Sequence, residues 1–252
     1  MSLSSRSIAP ALLCFVLAQS PAHAQTSSVR ERAREPYLTG LGHMRQEAYD
    51  AARRSFETAI DIDPAFELAH FMLGRVHLAQ KNYTSAVAAL VRSRQLYVAE
   101  GSRQFMNKQE GQRFRRDRLA ELDDMIGTLQ QKTPQTFQDR EQIRQLEERK
   151  RQVQDLDRAK DMTPEQQVPA FVSLSLGSAY FRLGRRDEAE QAFLAAVAAD
   201  PKTGEAHNNL AVVYFETGRY DLAKASVRAA EKAGVKVHPE LKAQIDAKAK
   251  SH

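Results

Sequence analysis

The chain has 252 residues, enough for one or two domains with a sizeable buried core. Thirty-seven Lys and Arg stand against 32 Asp and Glu, and the resulting net charge of +5 is too small at this size for a dedicated nucleic-acid binder. One Cys excludes a disulfide framework and a cysteine-built zinc site, and 27% charged residues of both signs, set among abundant Ala, Leu, Gln, Glu and Arg, indicate a helical protein.

Residues 1–24 have the three parts of an export signal. Arg6 supplies the positive start, Ile8 to Ala18 is apolar, and Ala22-His23-Ala24 is a small-x-small cleavage site. The apolar run falls short of the ~20 residues that a membrane-spanning helix needs. The expectation is therefore a cleavable signal, a mature chain with no integral membrane segment, and a periplasmic or secreted location.

Beyond the signal, the sequence repeats. Gly40 recurs as Gly74, Gly177 and Ala211, so the steps are 34, 103 and 34 residues. Ala52 follows the same steps as Ala86, Ala189 and Ala223, and Phe56 as Leu90, Phe193 and Val227. A period of this length predicts stacked supersecondary units: 33–66, 67–100, 170–203 and 204–237. Within the third, Leu176, Gly177, Tyr180 and Leu183 fall on one helical face, and Gly184 breaks the helix. Asp187 is placed to cap a second helix carrying Ala189, Phe193 and Ala196, and Pro201 stops it. Each such pair leaves an apolar face that only a neighbouring unit can cover.

Residues 101–169 interrupt the period with 14 basic and 13 acidic side chains between Gly101 and Glu165, nearly balanced. Leu119, Leu122, Ile126 and Leu129, then Ile143, Leu146 and Val153, form heptad-like stripes. Thr136 with Asp139 makes a capping-box signature between them, and Thr163 before Pro164 a further helix start. The expectation is a protruding arm of two antiparallel helices, a coiled-coil hairpin that, with only about two heptads to pair, leans on the solenoid or on a second copy of the protein. Residues 238–252 are expected to form a terminal capping helix with Leu241 and Ile245 on its apolar side.

Leu176-Gly177, Tyr180, Gly184, Ala189, Phe193, Ala196 and Pro201 together resemble the tetratricopeptide repeat. The fourth unit keeps Leu210, Ala211, Tyr214, Gly218, Tyr220, Ala223 and Ala230; the first two keep fewer positions, with His43 and His77 where a Tyr is usual. The resemblance implies an all-α helix-turn-helix solenoid whose first helices line a concave groove for peptides or partner helices. Carried over, the groove residues are Tyr37, Leu41, Met44, Phe71, Arg75, Leu78, Phe171, Leu174, Phe181, Arg182, Asn208, Val212 and Phe215. A clamp for a terminal carboxylate, which some members build from Lys and Asn, is not expected, because Tyr37, Phe71 and Leu174 stand at the lysine places. No phosphate loop, dinucleotide fingerprint, nucleophile elbow or metalloprotease helix occurs. The reading is a non-enzymatic adaptor without cofactor or metal that binds a protein or peptide and no nucleic acid. The alternative is a structural component of an envelope complex, a homo-oligomer joined through the coiled-coil arm.

Overall fold

A computed structural model describes residues 21–102, 108–131, 137–154 and 168–249, and every described element is a helix. In chain order these are α1 (Pro21–Arg45), α2 (Tyr49–Ile62), α3 (Glu67–Ala79), α4 (Tyr83–Gly101), α5 (Lys108–Gln130), α6 (Phe137–Gln154), α7 (Ala170–Arg182), α8 (Arg186–Ala199), α9 (Gly204–Glu216), α10 (Tyr220–Lys232) and α11 (Pro239–Ala249). The helices α1–α2, α3–α4, α7–α8 and α9–α10 form four antiparallel pairs that stack in sequence, with α11 against α10. The export signal's first twenty residues, and the Thr136 and Thr163-Pro164 signals, lie outside the described residues.

The pairs are built alike because the same contact closes each one. A β-carbon added to Gly40 would come within 2.6 Å of the Phe56 ring, one on Gly74 within 2.6 Å of Leu90, and one on Gly177 within 2.5 Å of the Phe193 ring. The missing side chain is what lets the bulky one lie across the partner helix. The fourth unit sets Ala211 and the smaller Val227 at these places, both buried. Ala52, Ala86, Ala189 and Ala223 are fully buried one turn before the bulky residue.

The turns within units also repeat, although their residues do not. Glu47, Lys81, Gly184 and Gly218, spaced as the units are, all have left-handed φ of 56°, 60°, 78° and 73°. In each turn the next amide donates five residues back: Ala48 to His43, Asn82 to His77, Arg185 to Tyr180 and Arg219 to Tyr214, at 2.8–3.0 Å. The third and fourth units meet this geometry with glycine; the first two hold side-chain-bearing residues in it. The expected cap at Asp187 is corrected here. The residue before α8 is Arg185, which makes no capping side-chain bond, and Asp187 lies inside the first turn, where a negative charge suits the helix dipole. Pro201 acts as expected, with α8 ending at Ala199 and Asp200 extended.

The inserted segment does form two helices, and α5 and α6 pack on each other. It does not protrude. Leu122, Met125, Ile126, Leu129, Leu146 and Val153 are buried in one cluster with Tyr37, Leu41 and Met44 of α1 and Phe71 and Met72 of α3. The heptad stripe accounts for only part of the buried surface, because Arg118, Asp139, Gln142, Gln145 and Arg149 are buried as well. Side chains on a second, polar face dock the hairpin on the solenoid.

Gly177→Ala is expected to destabilise the protein by about 1–3 kcal/mol through overpacking. Adding Phe193→Val, which reproduces the fourth unit's pairing, should recover part of that loss in urea denaturation. Glu47→Gly is expected to stabilise by about 1 kcal/mol, since relief of a left-handed side chain exceeds the extra chain entropy of glycine.

Candidate functional site

The first helices α1, α3, α7 and α9 carry the residues expected to form one face, and hairpin residues are buried against its α1 and α3 half. Tyr37, Leu41, Phe71 and Phe171 are 2%, 2%, 1% and 6% exposed, so these four expected groove residues offer no surface to a ligand in this state. Tyr37 packs its ring 4.9 Å from Phe66 and 5.8 Å from Phe56, inside the first unit. Phe71 meets Phe171 edge-on at 4.8 Å, across the junction of the second and third units. The half-buried Arg75 lies 5.9 Å over the Phe71 ring, with Glu141 of α6 among the charges acting on it. Met44 is buried and Leu78 half-buried.

The second half of the face is open. Leu174 on α7, and Asn208, Val212 and Phe215 on α9, are half-buried, and Arg182 is exposed. Phe181 is half-buried, but the Arg186 guanidinium covers its ring at 4.2 Å and donates to the Phe181 carbonyl at 2.6 Å. Arg186 is held in turn by Glu216 at 2.6 Å. Phe215 leans on Tyr220 at 5.9 Å. This half therefore offers a shallow apolar strip with amide and guanidinium donors along one edge.

Between the halves lies a buried ionic cluster that sequence reasoning missed. Glu67, the first residue of α3, accepts from Arg118 of α5 through one carboxylate oxygen and from Arg30 Nη1 through the other at 2.9 Å. Arg118 Nε also donates to Glu100 at 3.1 Å, and Arg118 pairs with Glu121. Arg149 of α6 binds the other Glu100 oxygen, with its guanidinium 4.7 Å over the Tyr97 ring. Arg30 is bonded to Asp63 and donates to the Ala65 carbonyl at 2.8 Å. Arg34–Asp124 and Arg45–Asp139 (3.6 Å) tie α1 to α5 and α6 further out. The cluster joins three arginines to four carboxylates, from both units and both hairpin helices.

Burial alone would raise the Glu67 carboxyl, but the Arg118, Arg30 and Arg149 guanidiniums hold it well below the ordinary carboxylate range. For Arg118, burial works against the charge, and Glu121, Glu67 and Glu100 outweigh it. Tyr37 is pushed up by burial and by the nearby Glu67 and Glu121 charges. One signal of the cluster was present in the sequence: the residues equivalent to Glu67 in the other units are Ala33, Ala170 and Gly204, small side chains at a crowded helix start.

His43 and His77 are half-buried, and His77 Nδ1 has no hydrogen-bond partner. Among the described residues, no three His, Cys, Asp or Glu side chains converge as metal ligands, and no helix is long and apolar enough to cross a membrane.

The tetratricopeptide-repeat family profile matches residues 37–96 and 174–234, the two stretches on either side of the hairpin. The chain carries tetratricopeptide repeats. It is similar to a solved tetratricopeptide protein of Thermus thermophilus at 23% identity, covering 86% of this chain and 98% of that one with a TM-score of 0.35. PilW, a type IV pilus biogenesis factor, is similar at 15% identity, with 87% and 93% covered and a TM-score of 0.38. YrrB, described as a tetratricopeptide protein with an unusual peptide-binding site, is similar at 14% identity, with 90% and 98% covered and a TM-score of 0.30. No curated protein is significantly similar to the chain. Of the residues expected in a groove, Leu174, Asn208, Val212 and Phe215 on α7 and α9 are half-buried, while Tyr37, Leu41 and Phe71 on α1 and α3 are buried.

Glu67→Ala is expected to cost about 1.5–3 kcal/mol, because it removes one carboxylate from the buried Arg118, which keeps Glu100 and Glu121, and one from Arg30, which keeps Asp63. The Glu67 pKa is depressed on folding, so its stabilisation is complete above the unfolded value of about 4.3 and fades as pH falls from there. Glu67→Gln should therefore flatten the acid limb of stability against pH, measured by urea midpoints from neutral pH downward.

Proposed function

We propose that this protein is a non-enzymatic adaptor of the periplasm that binds a peptide or partner helix on the open half of its concave face. The observation that carries this reading is the division of that face. Leu174, Asn208, Val212 and Phe215 remain accessible beside the exposed Arg182, while the corresponding surface of the first two units is occupied. An apolar strip edged with hydrogen-bond donors suits an extended apolar peptide or an amphipathic helix. Tetratricopeptide repeats are in general scaffolds for such contacts, which supports a role in binding over one in catalysis.

Arg6, the apolar run after it and Ala22-His23-Ala24 support export. Cleavage after Ala24 would remove only the first turn of α1 and leave Arg30 in place. The rival reading, assembly through the arm, has little left to stand on, since Leu122, Ile126, Leu129, Leu146 and Val153 are spent inside their own chain.

Crosslinking in the native envelope followed by mass spectrometry tests the adaptor reading. Arg182→Glu and Val212→Glu should each lower recovery of the captured partner at least tenfold. Leu194→Glu, at an exposed leucine on α8, should leave it unchanged. Equal recovery in all three variants would remove the open groove from the function.

A further inference from the structure

Three features of the hairpin set it apart from the rest of the core. The first is that the solenoid does not need it. Helix α4 packs directly on α7, and Phe71 meets Phe171 across that junction, so the second and third units are stacked whether or not the chain between them is docked. The insertion leaves the stack and returns to it at the same place.

The second is the chemistry of its seam. Within each unit the helices close through apolar contacts such as Gly177 against Phe193. The hairpin adds to its apolar contacts a buried ionic set, with Arg118 and Arg149 reaching Glu67 and Glu100 and Asp139 reaching Arg45, a polar component of the kind found where parts of a protein separate and rejoin. The ion cluster there is incompletely satisfied. The Tyr97 hydroxyl, Arg149 Nε and Glu121 Oε1 are buried without hydrogen-bond partners, although Arg30 Nη1 stands 4.0 Å from Glu121 Oε1. A partly satisfied buried network contributes less than an apolar seam of the same size.

The third is what release would leave behind. Without the hairpin, the apolar Tyr37, Leu41 and Met44 surface loses its cover, and Glu67 keeps Arg30 but loses Arg118. A carboxylate beside an apolar face selects a ligand that brings a cation to it together with apolar surface.

We propose that the α5–α6 hairpin is a removable cover on the concave face of the first two repeats, and that the partner for this face is an amphipathic helical pair bringing an arginine to Glu67. The hairpin is itself the pattern for that partner. This face is separate from the open half assigned above, so either assignment can fail without the other.

The test uses the full chain with Cys14→Ser and a single new thiol, either Met125→Cys in the hairpin or Val213→Cys in the fourth unit, both at fully buried positions. Under native conditions, Met125→Cys should react with a thiol reagent at least tenfold faster than Val213→Cys. Arg118→Glu should speed the first at least tenfold more and leave the second unchanged. Leu129→Cys is a second hairpin position should Met125→Cys disturb the core. A fluorescent synthetic peptide of residues 108–154 should then bind the Arg118→Glu chain at least tenfold more tightly than the chain that keeps Arg118. The same peptide carrying Arg118→Glu should not bind. Equal reaction rates for the hairpin and fourth-unit thiols would mean that the hairpin opens only with global unfolding, and would overturn the proposal. Equal binding of the peptide to both chains would overturn it as well.

Discussion

The structure depends on how closely two helices can approach within a repeat. At Gly40, Gly74 and Gly177 there is no room for a single further carbon, because a phenyl ring or a leucine already occupies the place where it would stand. This contact sets the angle and spacing of each helix pair, and so fixes which apolar side chains are left for the next pair to cover. A solenoid follows from repetition, since each unit satisfies only its neighbours. The first helices follow one another through the stack because each is locked to the second helix of its own unit.

On this regular frame the hairpin brings a different kind of force. Within the units, burial is apolar and non-directional. Between hairpin and units, an apolar cluster is joined by ionic and geometrically demanding contacts, with Arg118 held between Glu67, Glu100 and Glu121. The first kind supplies stability, and the second fixes position, because a guanidinium meets a carboxylate in few geometries. The first helices of the first two units are thus covered by the chain's own hairpin, and those of the last two are not, with the boundary where α6 reaches the third unit. Glu148 marks it by accepting from the Ala170 amide at 3.1 Å, at the start of α7.

Most of the fold was legible in the sequence. The 34-residue steps named the units, the Gly and Phe positions named their contacts, and the stripe from Leu119 to Leu129 named a helix with a buried face. Hydrophobic spacing reports what is buried, but not against what. The stripe read equally well as a free coiled coil, and only the buried Arg118, Gln142, Gln145 and Arg149 give it a second face. Charged residues in a charge-rich segment carry no periodic signal, so the docking was hidden. For the same reason Tyr37, Leu41, Phe71 and Phe171 were assigned to an open groove, when the residues covering or packing against them lie elsewhere in the sequence. Val212 and Asn208 keep part of their surface because no distant segment packs over them.

The turns of the first two repeats have a consequence for how the stack holds together in time. Glu47 and Lys81 keep the backbone in a conformation that glycine adopts freely in the later repeats. In a nearest-neighbour stack, such a local penalty makes a unit easier to lose and slower to gain. The first two units are therefore expected to be lost more readily than the last two. The hairpin, lying over these weaker units, joins the molecule at the end where cohesion is lowest.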